Sequence, residues 1–409
     1  MLAATATRRS TPSAPPPTKR RLNGLDGFRA VAVTVVALFH FGVPGFSGGW
    51  VGPELFFVLS GFLITTLLLD RSVPGKRQPS LRDFWRRRIT RLYPALVFLV
   101  AILLPVVALL DGLHDTTAAT ISPASLRSES LAAVAYYANW HLIAEHTGYF
   151  AQSTSLFKHT WSLAIEEQFD LVWPIVLMLI MRSQRSWRAV GIAVAIAGSL
   201  ASAAYAAATV TDSNVNTVYY STQSNAFHLL IGVSLAFVAH GWTPSPQVRV
   251  WLTRLGVPAL AVIALFVGLA STGSDAPRLW MFRGGEVVLD LVAVALIVSL
   301  VFGDPASRVS RTLNLRPVVW LGSISYGVYL WHFPLAVLVT PASTGLPRGL
   351  VVLILIAATL AIASFSHRFV EVVVREVLIV SRRYRWTIYA TGFSGAMALV
   401  AGAQWLVRP

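Results

Sequence analysis

The sequence predicts an all-α membrane protein, a polytopic transmembrane helical bundle of about ten core spans with an eleventh span near the C-terminus. Of its 409 residues, 55% are hydrophobic and only 12% are charged, whereas a soluble domain carries about 25% charged residues. Apolar runs of about 18–20 residues recur along the whole chain, and a helix needs this length to cross a bilayer. The runs do not alternate apolar and polar residues, as the strands of a membrane β-barrel would.

The basic charge of the chain lies mainly between the apolar runs. The formal net charge is +15, and the connection at 71–91, RSVPGKRQPSLRDFWRRRITR, is strongly basic. Because basic connections of multi-pass proteins face the cytosol, this pattern predicts a plasma-membrane protein with a cytoplasmic N-terminus and no nucleic-acid partner. The excess of arginine over lysine is typical of a GC-rich bacterial genome. The chain has no cysteine, which excludes a thiolate nucleophile.

Composition divides the chain into three regions. Residues 1–21 are rich in Thr, Ser and Pro and are expected to form a disordered cytosolic tail. Residues 22–380 form the transmembrane domain, and residues 381–409 form a basic cytosolic segment followed by the terminal span. The segment 130–150 would break the alternation of basic loops if it crossed, so we expect an interfacial or re-entrant helix there. The predicted spans are 27–45, 51–70, 93–112, 161–181, 189–209, 223–240, 255–272, 284–302, 317–340, 349–368 and 386–406.

The first span carries an arginine and a histidine, Arg29 and His40. Their separation of 11 residues corresponds to about 16 Å of helical rise and about 20° beyond three full turns, so both side chains share one face. An ionisable group inside a span costs about 2.5–3.5 kcal/mol on lenient insertion scales and points to a function. In the alternative interpretation, Arg29 reaches lipid phosphates and His40 only caps the outer helix end.

The second and third spans add a carboxylate and two arginines. Glu54 stands at the outer entry of the second span, where Ser60 and Gly61 are interpreted as helix-packing residues. Arg88 and Arg91 lie three residues apart on one helical face at the cytosolic surface. Guanidinium groups match phosphate oxygens, so the pair could clamp phosphates. The alternative is an ordinary basic cluster that sets the orientation in the membrane.

The entry to the span at 161–181 carries an unusual number of ionisable groups. The stretch FKHTWSLAIEEQFDLVWP contains His159, Glu166, Glu167 and Asp170. Three carboxylates on one inserted helix require a polar cavity, so a purely structural role for all three is not favoured. A carboxylate in such a cavity could orient a histidine or bind sugar hydroxyls.

The last predicted core spans carry further polar groups. The stretch LGSISYGVYLWHFPL places Tyr326 and His332 within one span, where His332 is either functional or a satisfied histidine of the bundle. At the end of the following span, His367, Arg368 and Glu371 are most simply explained as an interfacial salt bridge.

Taken in order, these stretches resemble the acyltransferase 3 family of bacterial integral-membrane O-acyltransferases. The resemblance runs from Leu22 to about Arg375 and so covers nearly the whole chain. Each piece alone is weak, but their combination is specific. The matching pieces are LDGFRAVAVTVVALFHF, GGWVGPELFFVLSGFLI, RRRITRLYP, HTWSLAIEEQF, LLIG, LGSISYGVYLWHFPL and SHRFVE.

The resemblance implies transfer of an acyl group, acetyl or another short chain, from cytosolic acyl-CoA to a hydroxyl of a glycan, glycolipid or secondary metabolite. The family's arginine–histidine signature falls on Arg29 and His40, and its paired arginines fall on Arg88 and Arg91. The histidine is taken as central to transfer, and the arginines as serving the acyl donor. We expect a carboxylate such as Glu166 to orient His40, which would act as a general base or carry the acyl group.

The expected partners are the lipid bilayer, acyl-CoA as the donor substrate, and a hydroxyl-bearing acceptor. No resident cofactor and no metal ion are expected. The residues expected to support the site or contact the acceptor are Glu54, His159, Glu167, Tyr326 and His332.

Several positions depart from the family pattern. Pro53 and Glu54 stand where Val-Asp is usual, and Asp170 stands where a tyrosine is usual. The sixth predicted span offers Asn225 and His228 in place of an arginine and a carboxylate. These changes cluster on the predicted acceptor side, so the acceptor cannot be inferred from the family average.

A function from another class fits the polar first span as well. A transporter or flippase of a lipid-linked or acylated glycan could use the same side chains as an ion pathway. Such proteins often contain two similar halves, and the sequence contains no internal repeat that we could find.

Overall fold

The computed structural model describes residues 24–71, 80–112, 121–150, 155–182, 186–270 and 279–374. Within these ranges the regular elements are all helices, which confirms the predicted all-α class. The predicted tail at 1–21 and the predicted span at 386–406 lie outside the described residues. So do the corresponding domain boundaries at 22, 380 and 381.

Seventeen α-helices are numbered here in chain order over the described residues. Short 3₁₀ turns at Gly49–Val51 and Lys158–Thr160 precede α2 and α6, and π-helical turns at Met281–Gly285 and His367–Glu371 adjoin α12 and α17. The helices are α1 Leu25–His40, α2 Gly52–Arg71, α3 Leu81–Gly112, α4 Pro123–Val134, α5 Ala138–Ala144, α6 Trp161–Met181, α7 Trp187–Thr209, α8 Val215–Tyr220, α9 Thr222–Ala239, α10 Pro246–Arg254, α11 Gly256–Leu269, α12 Glu286–Phe302, α13 Arg308–Leu313, α14 Arg316–Ser323, α15 Ser325–Leu338, α16 Pro341–Thr344 and α17 Arg348–Ser366.

Seven helical segments of the described chain are long and apolar enough to cross a membrane, and α14 with α15, bent by 70°, would make an eighth. Helix α1 has only 16 residues, and α6 carries Glu166, Glu167 and Asp170, so neither is a simple apolar span. The count of ten core spans therefore stays a prediction. The seven segments are Gly49–Asp70, Leu81–Leu110, Trp187–Thr209, Thr222–Ala239, Pro246–Leu269, Met281–Phe302 and Arg348–Val374.

The segment predicted not to cross forms two short helices, α4 and α5. They have 12 and 7 residues, whereas a crossing helix needs about 20. Between them Tyr136 adopts a positive φ of 54°, which breaks the helical path. Neither helix can cross a bilayer alone, in agreement with the prediction for 130–150.

Helix α2 lies at the centre of the bundle, against α1, α6, α9 and α12. Its contact with α9 is very close: a Cβ atom on Gly61 would lie 2.0 Å from the Leu229 carbonyl oxygen, and one on Gly232 would lie 2.0 Å from the Val58 carbonyl oxygen. Only glycine permits this approach. The predicted packing role of Gly61 is therefore confirmed, and the contact fixes the register of α2 against α9.

Candidate active site

Three histidines, His40, His159 and His332, meet where α1 ends, α6 begins and α15 passes; we call them the histidine cluster. The ring centroid of His332 lies 5.1 Å from that of His40 and 5.8 Å from that of His159. His332 is fully buried, and His159 is almost fully buried. His40, the last residue of α1, is half-buried.

The hydrogen bonds of the cluster define the proton positions. His332 Nδ1 lies 2.6 Å from the Tyr329 carbonyl oxygen and 3.2 Å from that of Val328. Carbonyl oxygens only accept, so His332 carries its hydrogen on Nδ1 and a lone pair on Nε2. That lone pair faces His40 Nδ1 at 3.0 Å, and His40 Nδ1 also lies 3.0 Å from the Val36 carbonyl oxygen. His40 therefore donates from Nδ1 and keeps Nε2 free as a base.

A tyrosine faces the basic nitrogen of His40. The Tyr149 hydroxyl lies 3.2 Å from His40 Nε2, and burial raises the pKa of Tyr149 well above its ordinary value. The phenol therefore stays protonated and donates to Nε2. Lys158 holds this segment, because its ammonium donates to the carbonyl oxygens of Gly148 and Tyr149 at 3.3 and 3.1 Å.

His159 lies in the 3₁₀ turn that leads into α6. Its ring centroid is 5.6 Å from that of Tyr329 and 5.1 Å from that of Phe333. The backbone of Leu330 lies close to the ring, and no described side chain is hydrogen-bonded to it. His159 thus borders the histidine cluster.

The three predicted arginines line one cavity, which we call the arginine cavity, of about 350 Å³. Much of its wall is apolar and comes from α2. The polar groups of its lining are Arg29, Arg87, Arg88, Arg91, Ser60, Ser162, Glu166, Glu167, Tyr136, Ser325, Tyr326 and Tyr329.

Tyr329 connects the arginine cavity to the histidine cluster. It lines the cavity, and its hydroxyl lies 2.6 Å from Ser162 Oγ and donates to the His159 carbonyl oxygen at 2.8 Å. Its own carbonyl oxygen accepts the hydrogen of His332 Nδ1. The arginine cavity and the histidine cluster are therefore adjacent, with Tyr329 between them.

Arg88 is held by carboxylates of α6 in what we call the Arg88 network, formed by Arg88, Glu166, Glu167 and Asp170. Its Nη2 lies 2.6 Å from Glu166 Oε1, and its Nε lies 3.0 Å from Glu167 Oε1 and also contacts Asp170. Arg88 thus gives the three carboxylates that the sequence places on an inserted helix a cation to pair with. It also joins α3 to α6.

The predicted contact between Glu166 and His40 is wrong. Glu166 Oε1 accepts hydrogen bonds from Arg88 and, at 2.6 Å, from Ser60 Oγ, while His40 Nδ1 is oriented by His332 and Val36. Ser60, interpreted as a helix-packing residue, lies between α2 and α6, lines the arginine cavity and donates its hydroxyl hydrogen to Glu166.

Arg29 and Arg91 differ from Arg88 in their surroundings. The Arg91 residue is exposed, and within the described residues it has no ion-pair partner. Arg29 lies 3.9 Å from Asp26, a loose pair. Both guanidinium groups line the arginine cavity, where an anion would be bound favourably.

The remaining predicted residues have structural contacts. The Tyr326 hydroxyl donates to the Leu92 carbonyl oxygen at 2.9 Å and ties α15 to α3. His367 lies 3.2 Å from Glu371, as predicted for the interfacial pair. Glu54 belongs to a separate buried group.

That separate group, which we call the carboxylate–histidine cluster, consists of Glu54, His228, Glu286 and Asp290, all buried. Sequence analysis missed Glu286 and Asp290. Their spacing of four residues places both carboxylates on one face of α12. This spacing within an apolar run could have indicated a buried polar site.

Comparison with known proteins agrees with this description. Residues 22–368 match the family model of the acyltransferase domain of the acyltransferase 3 family. The chain therefore belongs to this family of acyltransferases, and the resemblance inferred from the motifs is confirmed. No solved structure matches the chain.

Curated relatives share about a third of the aligned residues. The chain is 32% identical over 365 residues to the peptidoglycan O-acetyltransferase OatA of Listeria monocytogenes, covering 88% of this chain and 56% of that protein. It is 34% identical over 374 residues to the putative peptidoglycan O-acetyltransferase YrhL of Bacillus subtilis, covering 87% and 55%. For the O-acetyltransferase OatA of Staphylococcus aureus, identity is 30% over 369 residues, covering 87% and 58%. The chain thus spans little more than half the length of these relatives.

Proposed function

We propose that this chain is a membrane O-acyltransferase that moves an acetyl or other short acyl group from cytosolic acyl-CoA to a hydroxyl group of a cell-surface glycan. Its family supports the reaction class, and the names of its relatives support a glycan acceptor. The observation that carries the proposal is the hydrogen bonding of His40, which leaves the lone pair on Nε2, where the Tyr149 hydroxyl donates to it.

The donor would enter through the arginine cavity. Arg29 and Arg91 have guanidinium groups that the carboxylates of α6 do not occupy, so we assign the phosphates of acyl-CoA to them. Arg88, predicted from sequence as a third donor contact, is instead assigned to positioning α3 against α6. For the thioester to reach His40, the contacts of Tyr329 with Ser162 and His159 have to open.

In the transfer step, the acceptor hydroxyl replaces Tyr149 as the partner of His40 Nε2. His40 takes the hydroxyl proton while the oxygen attacks the thioester carbonyl, forming the new C–O bond. The C–S bond then breaks, and the leaving thiolate takes the proton back from His40. A general base of this kind contributes about 10²–10⁴-fold in rate.

His332 and Tyr149 would assist this chemistry. Protonated His40 still donates from Nδ1 to the neutral His332, so the developing positive charge is shared along a hydrogen bond. The displaced Tyr149 hydroxyl, which lies beside His40 Nε2, would donate to the oxyanion that forms at the carbonyl. Attack by His40 Nε2 itself, to give an acyl-histidine that the acceptor then resolves, uses the same contacts.

Mass spectrometry of extracytoplasmic glycans and secreted metabolites, from cells with and without this protein, tests the proposal. We expect an alkali-labile acyl ester on a surface glycan only when the protein is present, and the mass would name both acyl group and acceptor. An unchanged acylation pattern, together with a changed amount of lipid-linked glycan on the outer leaflet, would contradict it and favour the flippase.

A further inference from the structure

We propose that the carboxylate–histidine cluster is a binding site for a divalent transition-metal ion, with Glu54, His228 and Glu286 as ligands. The site joins the first turn of α2, the second turn of α9 and the first turn of α12. It is separate from the histidine cluster and goes beyond the proposed transfer reaction.

The ligand atoms already lie close to one another. One nitrogen of His228 and one carboxylate oxygen each from Glu54 and Glu286 all lie within 4.8 Å of one another. Zinc binds nitrogen and oxygen ligands at about 2.0–2.2 Å, so two ligands of one ion lie about 3–4 Å apart. A small inward rotation of the side chains would therefore complete the site.

The tautomer of His228 is fixed in the way a metal requires. His228 Nδ1 lies 2.7 Å from Asp290 Oδ2, and a carboxylate accepts, so Nδ1 carries the hydrogen. In the neutral imidazole His228 Nε2 then has the lone pair, and this atom lies 3.9 Å from Glu286 Oε2. Metal-binding histidines nearly always donate their other N–H to a carboxylate or carbonyl, which orients the ring. Asp290 has this position here.

Several polar atoms of the cluster have no protein partner. Both carboxylate oxygens of Glu54, His228 Nε2 and Asp290 Oδ1 are buried without a hydrogen bond among the described residues. Glu54 and His228 are each only 1% exposed. Buried carboxylates without partners are costly, and in the described part of the chain no lysine or arginine pairs with them. A divalent cation bound at their centre would remove that cost.

The donor set selects the class of ion. One imidazole and two carboxylates are ligands for zinc and for manganese, and three protein ligands leave a position for water. Aromatic rings lie between this site and the histidine cluster: the Phe57 centroid is 6.0 Å from that of His228 and 6.1 Å from that of Trp161. Because its three ligands come from α2, α9 and α12, the ion would link the N-terminal turns of these helices and would not take part in the chemistry at the histidine cluster.

The test measures metal content and affinity on the full chain purified in detergent. After treatment with a chelator and exchange into metal-free buffer, the protein is titrated with Zn²⁺ and, separately, with Mn²⁺. Bound metal is counted by plasma mass spectrometry, and thermal unfolding is followed at each concentration. We expect one ion per chain and a rise in Tm on binding.

Matched variants identify the ligands. Glu54→Gln and Glu286→Gln keep the side-chain shape and should bind the ion at least about 100-fold more weakly, and Asp290→Asn about 10–100-fold more weakly. Glu129→Gln, a carboxylate of α4 that accepts from Ser155 at 2.7 Å, is the control and should bind as the unmodified chain does.

Two results would overturn the proposal. One is the absence of stoichiometric Zn²⁺ or Mn²⁺ from folded, unmodified protein. The other is equal affinity in the unmodified chain, Glu54→Gln and Glu286→Gln. If a third variant, His228→Gln, fails to fold, Glu54→Gln and Glu286→Gln still decide the question. In these two variants the amide preserves the side-chain volume and removes only the charge.

Discussion

The Arg88 network and the carboxylate–histidine cluster each place three carboxylates around one nitrogen-containing side chain. That side chain differs in charge, and only the cluster is buried throughout. The network contains a guanidinium, which is always protonated and forms two or more hydrogen bonds with carboxylates at once. The cluster contains an imidazole that already donates to Asp290. The protein thus pairs one acidic group with its own cation, whereas we propose that the other binds a cation from outside.

The comparison also separates roles that look alike in sequence. Arg88 and Arg91 lie three residues apart on α3, yet Arg88 is bound by three carboxylates and Arg91 by none of the described residues. Likewise, His40 donates to a neutral imidazole, whereas His228 donates to a carboxylate. We therefore assign a role in transfer, in donor binding or in structural support from the partner of each side chain, more than from its residue type.

The largest loss of stability is expected from removing the guanidinium group of Arg88. Arg88→Ala leaves the buried Asp170 and the partly buried Glu166 and Glu167 without their cation. Breaking an ion pair by removing one partner costs up to about 3–5 kcal/mol of folding free energy where the pair is buried. Thermal unfolding in detergent should show a large fall in Tm. Arg86→Ala, whose exposed pair with Asp83 spans 3.4 Å, should change stability by less than about 1 kcal/mol. Equal effects of the two substitutions would show that the network is not a structural centre.

Removing the proposed metal ion from the carboxylate–histidine cluster should lower the stability by a smaller amount. If the carboxylate–histidine cluster holds a metal ion, supplying Zn²⁺ at 100 times its dissociation constant stabilises the fold by about 3 kcal/mol. Chelator should therefore lower the Tm of the unmodified chain and leave that of Glu54→Gln unchanged. An identical response of both proteins to chelator would remove the distinction between the two acidic groups.

The contrast between the neighbouring arginines predicts a binding effect. Arg91→Ala removes a charge-assisted contact to the donor, so the apparent KM for acyl-CoA should rise about tenfold or more, and the KM for the acceptor should stay the same. Arg29→Lys keeps the charge but loses the planar fork, so we expect partial activity. Equal changes in both KM values would mean that these arginines only set the membrane orientation.

The substitutions with the smallest expected effect on the protein test the predicted topology, in which 41–50 faces outside and 71–91 faces the cytosol. The chain contains no cysteine, so Ser47→Cys and Gln78→Cys each introduce a single thiol. A membrane-impermeant thiol reagent should label Ser47→Cys in intact cells and Gln78→Cys only after lysis. Labelling of both in intact cells would contradict the predicted topology.

The sequence was sufficient for the helical fold and for the three arginines that line one cavity. Hydropathy and motif order carry this information, because each helix and each motif is local in the chain. The motifs also indicated His40 and His332, although not that they contact each other across α1 and α15.

The partners of the buried charges could not be read from the sequence. The register of α2 against α9 depends on the close contacts of Gly61 and Gly232, and such contacts between distant segments leave no periodic signal. Glu166 was therefore assigned to His40 although it binds Arg88, and Glu286 was not connected with Glu54.

The central claim is that His40 Nε2 is the base or nucleophile of acyl transfer. It is tested most directly by comparing the unmodified chain and His40→Gln at equal protein amounts in reconstituted vesicles that contain acyl-CoA. Glutamine has no basic nitrogen, so turnover should fall about 10²–10⁴-fold. The Tm should change little, because the amide can still form hydrogen bonds at this half-buried position. Turnover equal to that of the unmodified chain would contradict the account and would move the search for the active site to His159 and Glu166.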